Sequence, residues 1–274
     1  MTISMFRRFF RVHLFFCAGL GLFACVSFPD APAPAVSPAI EAGALRASDG
    51  ARLPLAVHAA EDPRAVIIAL HGMNDYSRAF AGAAQWWAEN AQITTYAYDQ
   101  RGFGRSASPG HWPGAKTLVA DLRAGLAAAR EAHPGLPVFV LGHSMGAAVV
   151  MRAEAEASLG ADGLILAAPG VWGGGALPLH YRAVLNVAAN IAPGATLTGE
   201  RAGRQSTDNM EILREMSADP LVIKETRLDA VLGVVQLMGS AFARADEIDA
   251  DILYLMGVKD EIIPVKKMSK TALS

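Results

Sequence analysis

The sequence predicts an α/β fold: a mostly parallel central sheet with helices on both faces and a helical cap inserted late in the chain. Three observations predict it. Short apolar runs alternate with longer alanine-rich stretches from Ala42 onward, each run closes on a polar loop, and the stretch 171–245 loses that alternation. Strands separated by helices pair in parallel across a sheet that is covered on both faces. At 274 residues, 52% hydrophobic and 18% charged, the chain can bury one large α/β core. Its formal net charge of −2 supplies no basic field for phosphates, so a nucleic-acid partner is not expected.

The first segment, 1–28, stands apart from this pattern. Arg7, Arg8 and Arg11 precede an uncharged apolar run from Val12 to Phe28. A basic start followed by a short apolar core reads as a signal peptide or a membrane anchor, which places the rest at the cell envelope. "LFAC" ending at Cys25 resembles a bacterial lipobox, so a lipoprotein modified at Cys25 is expected as one form of that anchor. Cys17 and Cys25 are the only cysteines, so the domain has none for a disulfide, a thiolate metal site or a cysteine nucleophile. Residues 29–41 are rich in proline and alanine and read as a stiff, extended linker. The domain is then expected over 42–274.

Within it, "RAVIIALHG", "TTYAYDQRG", "PVFVLGHS", "DGLILAAPG" and "DILYLMGVKD" each read as a buried strand entering a loop. "FAGAAQWWAEN", "GAKTLVADLRAGLAAAREAHP" and "MGAAVVMRAEAEASLG" carry apolar residues at helical spacing between them. From about 171 to 245 the chain is Gly-rich and then helical, with no strand signal. An insertion there would sit over the carboxyl ends of the strands, where ligands bind in such sheets, and is read as the cap.

"GHSMG", residues 142–146, has the form G-x-S-x-G with a strand before it and a helix after it. That context lifts a serine hydroxyl above the sheet edge on a sharp turn, which makes Ser144 the candidate nucleophile. An oxyanion forming on the attacked carbonyl needs backbone donors already in place. The amide of Met145 is one candidate, and the amide of Met73, in the loop "HGMNDYS" after an earlier strand, is the other. An acid belongs at the end of a late strand, where "DILYLMGVKDE" offers Asp260 and, beside it, Glu261.

With these residues the chain resembles the α/β-hydrolase superfamily, in its monoacylglycerol lipase/lysophospholipase branch of the serine aminopeptidase S33 domain type. "HGMNDYS", "YAYDQRGFGRS", "GHSMG" and "LMGVKDEIIP" occur in that branch's order, from about Leu45 to Pro264. The resemblance favours Asp260 as the acid. It implies that Asp99 and Arg101 order their loop as a pair rather than react. It also implies hydrolysis of a lipid-like ester, a monoacylglycerol or a lysophospholipid, with no cofactor, no metal and no obligate protein partner.

The base is where the pattern fails. The resemblance places a histidine roughly two to three dozen residues beyond the acid, after another strand and helix. All seven histidines precede Asp260 and the chain ends at Ser274. His71 belongs to the oxyanion loop. His143 adjoins the serine and is expected to point elsewhere. His111 and His180 are candidates only for the site's mouth. The sequence therefore suggests a C-terminally incomplete domain with little turnover, or a non-catalytic, membrane-tethered protein that binds lipid.

Overall fold

The computed structural model describes residues 26–172, 177–198, 207–260 and 262–263. The expected leader with Cys17 and Cys25, all but its last three residues, lies outside them. So do Glu261 and the C-terminal stretch 264–274.

Eight strands form one sheet. In chain order they are β1 (Ala39–Glu41), β2 (Ala44–Arg46), β3 (Arg52–His58), β4 (Ala65–Leu70), β5 (Ile93–Tyr98), β6 (Val138–His143), β7 (Leu164–Ala167) and β10 (Ile252–Leu255). Their order across the sheet is β1-β2-β3-β5-β4-β6-β7-β10. The five runs read as buried strands are β4, β5, β6, β7 and β10, and all of them pair in parallel. β4 is buried at every position, as a strand covered on both faces must be.

The helices that make the covering layers are α1 (Ala81–Ala91), α2 (Ala115–Ala132), α3 (Met145–Glu156) and α6 (Leu228–Ala243). One large cluster joins Leu45, Ile68, Leu70 and Tyr98 of the sheet to Leu118 and Leu122 of α2 and Val149 and Val150 of α3. A smaller one beneath α1 holds Ile67, Ala69, Phe80, Ala84 and Leu141. Adjacent strand residues serve opposite faces, so Ile67 and Ile68 feed different clusters.

Three features differ from the sequence reading. The antiparallel strands β1 to β3 were not read as strands, because Gly43 and Gly50 interrupt them and Pro54 lies inside β3. The chain before them is extended, as its prolines demand, but it lies along the body rather than standing off it. Ala35 N–H donates to Ser48 O at 2.7 Å, Lys116 pairs with Asp30 at 2.5 Å, and the rings of Phe28 and Trp112 meet edge to face at 6.4 Å. The expected cap contains the helices α4 (Leu179–Ile191) and α5 (Met210–Ala218), but also a two-stranded antiparallel pair, β8 (Thr196–Thr198) with β9 (Glu225–Arg227). Three residues are too few to show a period, and β9 runs directly into α6.

Asp99 and Arg101 do not pair with each other as the sequence reading had it. Arg101 reaches Asp49 and Asp121, with bonds of 2.7 to 2.8 Å, and so ties the β2–β3 turn to α2. Asp99, fully buried, instead accepts bonds from Ser77 N–H, Arg105 N–H and Arg105 Nε. Side chains two apart on an extended strand end share a direction, but the glycine-rich turn after Gln100 sends Arg101 outward to the opposite layer.

Burial pushes the Asp121 carboxyl up to about 6, against the bonds from Arg101 that pull it down. The folded state therefore holds this proton through a range where the unfolded chain, near 3.8, has released it. Asp121 then subtracts stability as pH rises from about 4 to about 6, with a slope approaching about 1.4 kcal/mol per pH unit. Asp121→Asn removes that titration. Urea unfolding of both proteins across this window is expected to show wild type falling relative to the variant as pH rises, and parallel curves would contradict it.

Candidate active site

β4 and β6 are neighbours in the sheet, with Leu70 opposite Gly142. From β4 the chain crosses one way to β5, and from β6 the other way to β7. The reversal opens a crevice at the carboxyl ends of β4 and β6, the place where open α/β sheets bind ligands. Both loops singled out in the sequence leave the sheet here.

Ser144 sits between β6 and α3 with φ 52° and ψ −112°. A non-glycine residue in this region carries about 1–3 kcal/mol of backbone strain and persists only where its surroundings impose it. They do so through both of its backbone groups. Ser144 N–H donates to Ala167 O at 2.9 Å, and its carbonyl accepts from Gly170 N–H at 2.9 Å and Ala148 N–H at 3.2 Å. The flanking glycines are sterically required. A Cβ on Gly146 would lie 2.2 Å from the Leu70 carbonyl oxygen, and one on Gly142 would lie 2.5 Å from Ala147 Cα. α3 thus starts in direct backbone contact with the end of β4.

The oxyanion loop lies against the serine: a Cβ on Gly72 would be 3.4 Å from Ser144 Cβ and 3.2 Å from His143 Nδ1. Among the described residues neither the Met73 nor the Met145 amide finds an acceptor in the protein. Unused donors on the loop after β4 and at the first residue of α3, both next to Ser144, are what an oxyanion hole would require.

His71 shapes this loop. It is fully buried, and its Nε2 accepts from Gln100 N–H at 3.0 Å while its Nδ1 lies 2.8 Å from Gly72 O. A backbone N–H can only donate and a carbonyl can only accept, so the ring is neutral with its proton on Nδ1. Burial lowers its pKa, the direction this tautomer needs. Gln100 Nε2 also donates to His71 O at 2.8 Å. The sequence reading gave Gln100 no role, and its place between Asp99 and Arg101 was the one hint available.

Asp260 ends the turn after β10. Its Oδ1 accepts from Ile262 and Ile263 N–H, each at 2.8 Å, which fixes the carboxylate's orientation. The other imidazole beside the nucleophile is His143, the last residue of β6. It is exposed to solvent, yet protein surrounds it closely enough that burial lowers its pKa, while the charges of Asp75 and Asp260 oppose that shift. The remaining described histidines are elsewhere, His58 as the last residue of β3. His133 bonds Tyr96 at the far end of the sheet, His180 stacks on Tyr181 in the cap at 4.4 Å, and His111 lies in the surface loop beneath Gly102. Among the described residues no group of three or more His, Cys, Asp or Glu is placed to hold a metal ion.

This constellation matches the family described as serine aminopeptidase, S33, over residues 61–273. The chain belongs to that family. It is thereby an α/β-hydrolase of the monoacylglycerol lipase-like kind, and by family a hydrolase of the esterase type. It is 32% identical over 209 residues to a monoacylglycerol lipase of Mycolicibacterium smegmatis, covering 74% of this chain and 73% of that protein. A monoglyceride lipase homolog of Monkeypox virus is 26% identical over 214 residues, covering 74% and 73%. Among solved structures, a monoacylglycerol lipase of Paleococcus ferrophilus superposes with TM-score 0.66 at 22% identity, covering 80% of this chain and 82% of its own. A soluble variant of monoglyceride lipase from Saccharomyces cerevisiae, in complex with a substrate analog, superposes with TM-score 0.67 at 17% identity, covering 90% and 85%. At those identities the structures establish the fold.

In this S33-family chain the cap is bonded to the oxyanion loop itself, a link no local sequence pattern announces. Asn74 Nδ2 donates to Thr226 Oγ1 at 2.6 Å, and Ile223 N–H donates to Asn74 O at 2.9 Å. Tyr76 OH donates to Asp219 Oδ2 at 2.8 Å, and Arg78 pairs with the same carboxylate at 3.3 Å. Asn74 has φ 67°, a left-handed conformation that asparagine tolerates better than most residues.

The elbow's packing gives a direct test. Gly146→Ala forces a methyl group onto a backbone carbonyl that cannot swing aside, and is expected to cost about 3 kcal/mol or more. Gly82→Ala in α1, where a Cβ meets nothing within 4 Å, is expected to be neutral or slightly stabilising. Thermal unfolding of the two variants separates a required close approach from a generic glycine effect.

Proposed function

We propose that this chain is a serine hydrolase of carboxylic esters with a lipid-like acyl group, such as a monoacylglycerol or a lysophospholipid. The observation that carries the reading is the strained elbow, which sets the Ser144 side chain beside two amides without acceptors. Ser144 Oγ bonds to the ester carbonyl carbon, the carbonyl oxygen takes negative charge between the Met73 and Met145 amides, and the alcohol departs with a proton. Water then hydrolyses the acyl-enzyme and frees the acid. Asp260 is the proposed acid of the set. The substrate class follows the names of the relatives and fits the half-buried apolar side chains of Met73, Trp172, Ile223 and Met238 packed on the core around these loops. The basic-then-apolar segment 1–28 is proposed to hold the chain at a membrane of the cell envelope, spanning it or lipidated at Cys25.

The base that takes the Ser144 proton is the one member of the set that the described residues do not identify. No histidine follows Asp260 in these 274 residues. Loss of the base in a comparable serine hydrolase lowers turnover on the order of a millionfold, leaving the contribution of the oxyanion hole and of binding. The second reading is a membrane-tethered protein that keeps the pocket and binds lipid esters without cleaving them.

A long-chain alkyl fluorophosphonate separates the two. The hydrolase reading expects an adduct on Ser144, detected by mass spectrometry of the full chain, that accumulates slowly and is absent from Ser144→Ala. Saturable binding of a long-chain monoester with no adduct after prolonged incubation would establish the second reading and remove the first.

A further inference from the structure

The five residues 26–30 touch two parts of the molecule at once. Val26 N–H donates to Asn190 Oδ1 at 2.5 Å, on the last turn of the cap helix α4. The half-buried ring of Phe28 meets the buried ring of Trp112 edge to face, and Asp30 pairs with Lys116 in the first turn of α2. Between these contacts the backbone passes so close to the start of α2 that a Cβ on Gly114 would lie 2.9 Å from Pro29 O. Gly114 also has φ 91°, so its backbone angle as well as its space calls for glycine. Pro29 disfavours helical angles at Phe28 and keeps the segment extended.

Trp112 gives these contacts their reach. Its indole lies against α6, where a Cβ on Gly233 would be 2.4 Å from the ring. α6 in turn carries Met238, whose Cγ is 3.3 Å from the place a Cβ would take on Gly170, and Gly170 N–H holds the carbonyl of Ser144. The end of α4 is fastened to the same helix: Leu228 N–H donates to Ala195 O at 2.8 Å and Asp229 N–H to Pro193 O at 3.1 Å. The segment 26–30 thus grips both helices at the base of the cap, α4 directly and α6 through Trp112, and ties them to α2. The Asp30–Lys116 pair is exposed and adds little to that grip. Its strength lies in the Phe28 ring, the close fit at Gly114 and the bond to Asn190.

We propose that residues 26–30 are a strap that clamps the base of the cap to the body, so that α4 opens from the core only when the strap lets go. Phe28 is also where the apolar run of the leader closes, so the leader departs from the base of the cap. The inference depends neither on turnover at Ser144 nor on what holds the leader.

Hydrogen exchange read by mass spectrometry on the full chain tests it, because amides in α4 exchange through local opening. Val26→Pro removes the donor to Asn190, and Phe28→Ala removes the ring on Trp112. Neither alters the sequence of α4, so a change there does not arise from helix propensity. Val36→Ala, at a residue 39% exposed further along the same extended segment, is the control. The expected result is at least threefold faster exchange over residues 185–191 in both strap variants, with α3 and β4 as in wild type and no change in the control. Unchanged exchange over 185–191 in Val26→Pro would overturn the proposal, and this variant decides the matter where Phe28→Ala does not fold. Acceleration that extends equally to α3 and β4 would overturn it too, because the segment would then serve the stability of the whole domain and not the cap.

Discussion

The active site depends on how closely the first turn of α3 approaches the end of β4. Gly146 brings helix backbone within van der Waals reach of the carbonyls of Leu70 and His71, and Gly142 lets the chain fold back over its own strand. A side chain at Gly146 would push α3 off the end of β4, and one at Gly142 would push it off β6. The Met145 amide belongs to α3 and the Met73 amide to the loop after β4. The contact therefore fixes where these two amides sit relative to each other. Ser144 carries its unfavourable φ for the same reason, because the turn that permits the contact leaves it no other backbone angle.

Around this contact the polar groups form a brace rather than a reacting set. The loop after β5 supports the loop after β4: Gln100 bonds both the ring and the carbonyl of His71, and Asp99 accepts from Ser77. Burial works against the Asp99 carboxylate, but its bonds from Ser77 and Arg105 outweigh that and keep its pKa below the ordinary value. A neutral imidazole and an ionised carboxylate, each with its lone pairs used, are stable buried components, whereas a protonated His71 would lose its bond from Gln100.

What was legible in the sequence follows from which features are local. The five parallel strands are short apolar runs bounded by turn residues, and the elbow and both loops are contiguous motifs. β1 and β2 were illegible because they are three residues each, and β3 because it contains Pro54 and takes its place in the sheet from the distant β5. β8 and β9 were missed for the same reason. The roles of Gln100 and of Asp49 with Arg101 exist only across sequence separations of 29 and 52 residues, which no window of local pattern can span. Asp99 and Arg101 were read as partners on the family resemblance, whereas Asp99 bonds Ser77 and Arg105 and Arg101 bonds Asp49 and Asp121.

The bonds between cap and oxyanion loop connect the two ends of the proposed reaction path. Asn74 is one residue from Met73, and it is held by Thr226 and Ile223. Tyr76 and Arg78 are held two and four residues further into the cap-facing loop by Asp219. Partly exposed pairs of this kind are each worth at most about 1 kcal/mol, but they act on one short loop whose position sets an oxyanion donor. A cap displaced as a body would therefore carry Asn74 with it and shift the Met73 amide, while Met145, fixed in α3, would stay. Of the two donors, one is set by the core and the other is shared with the cap.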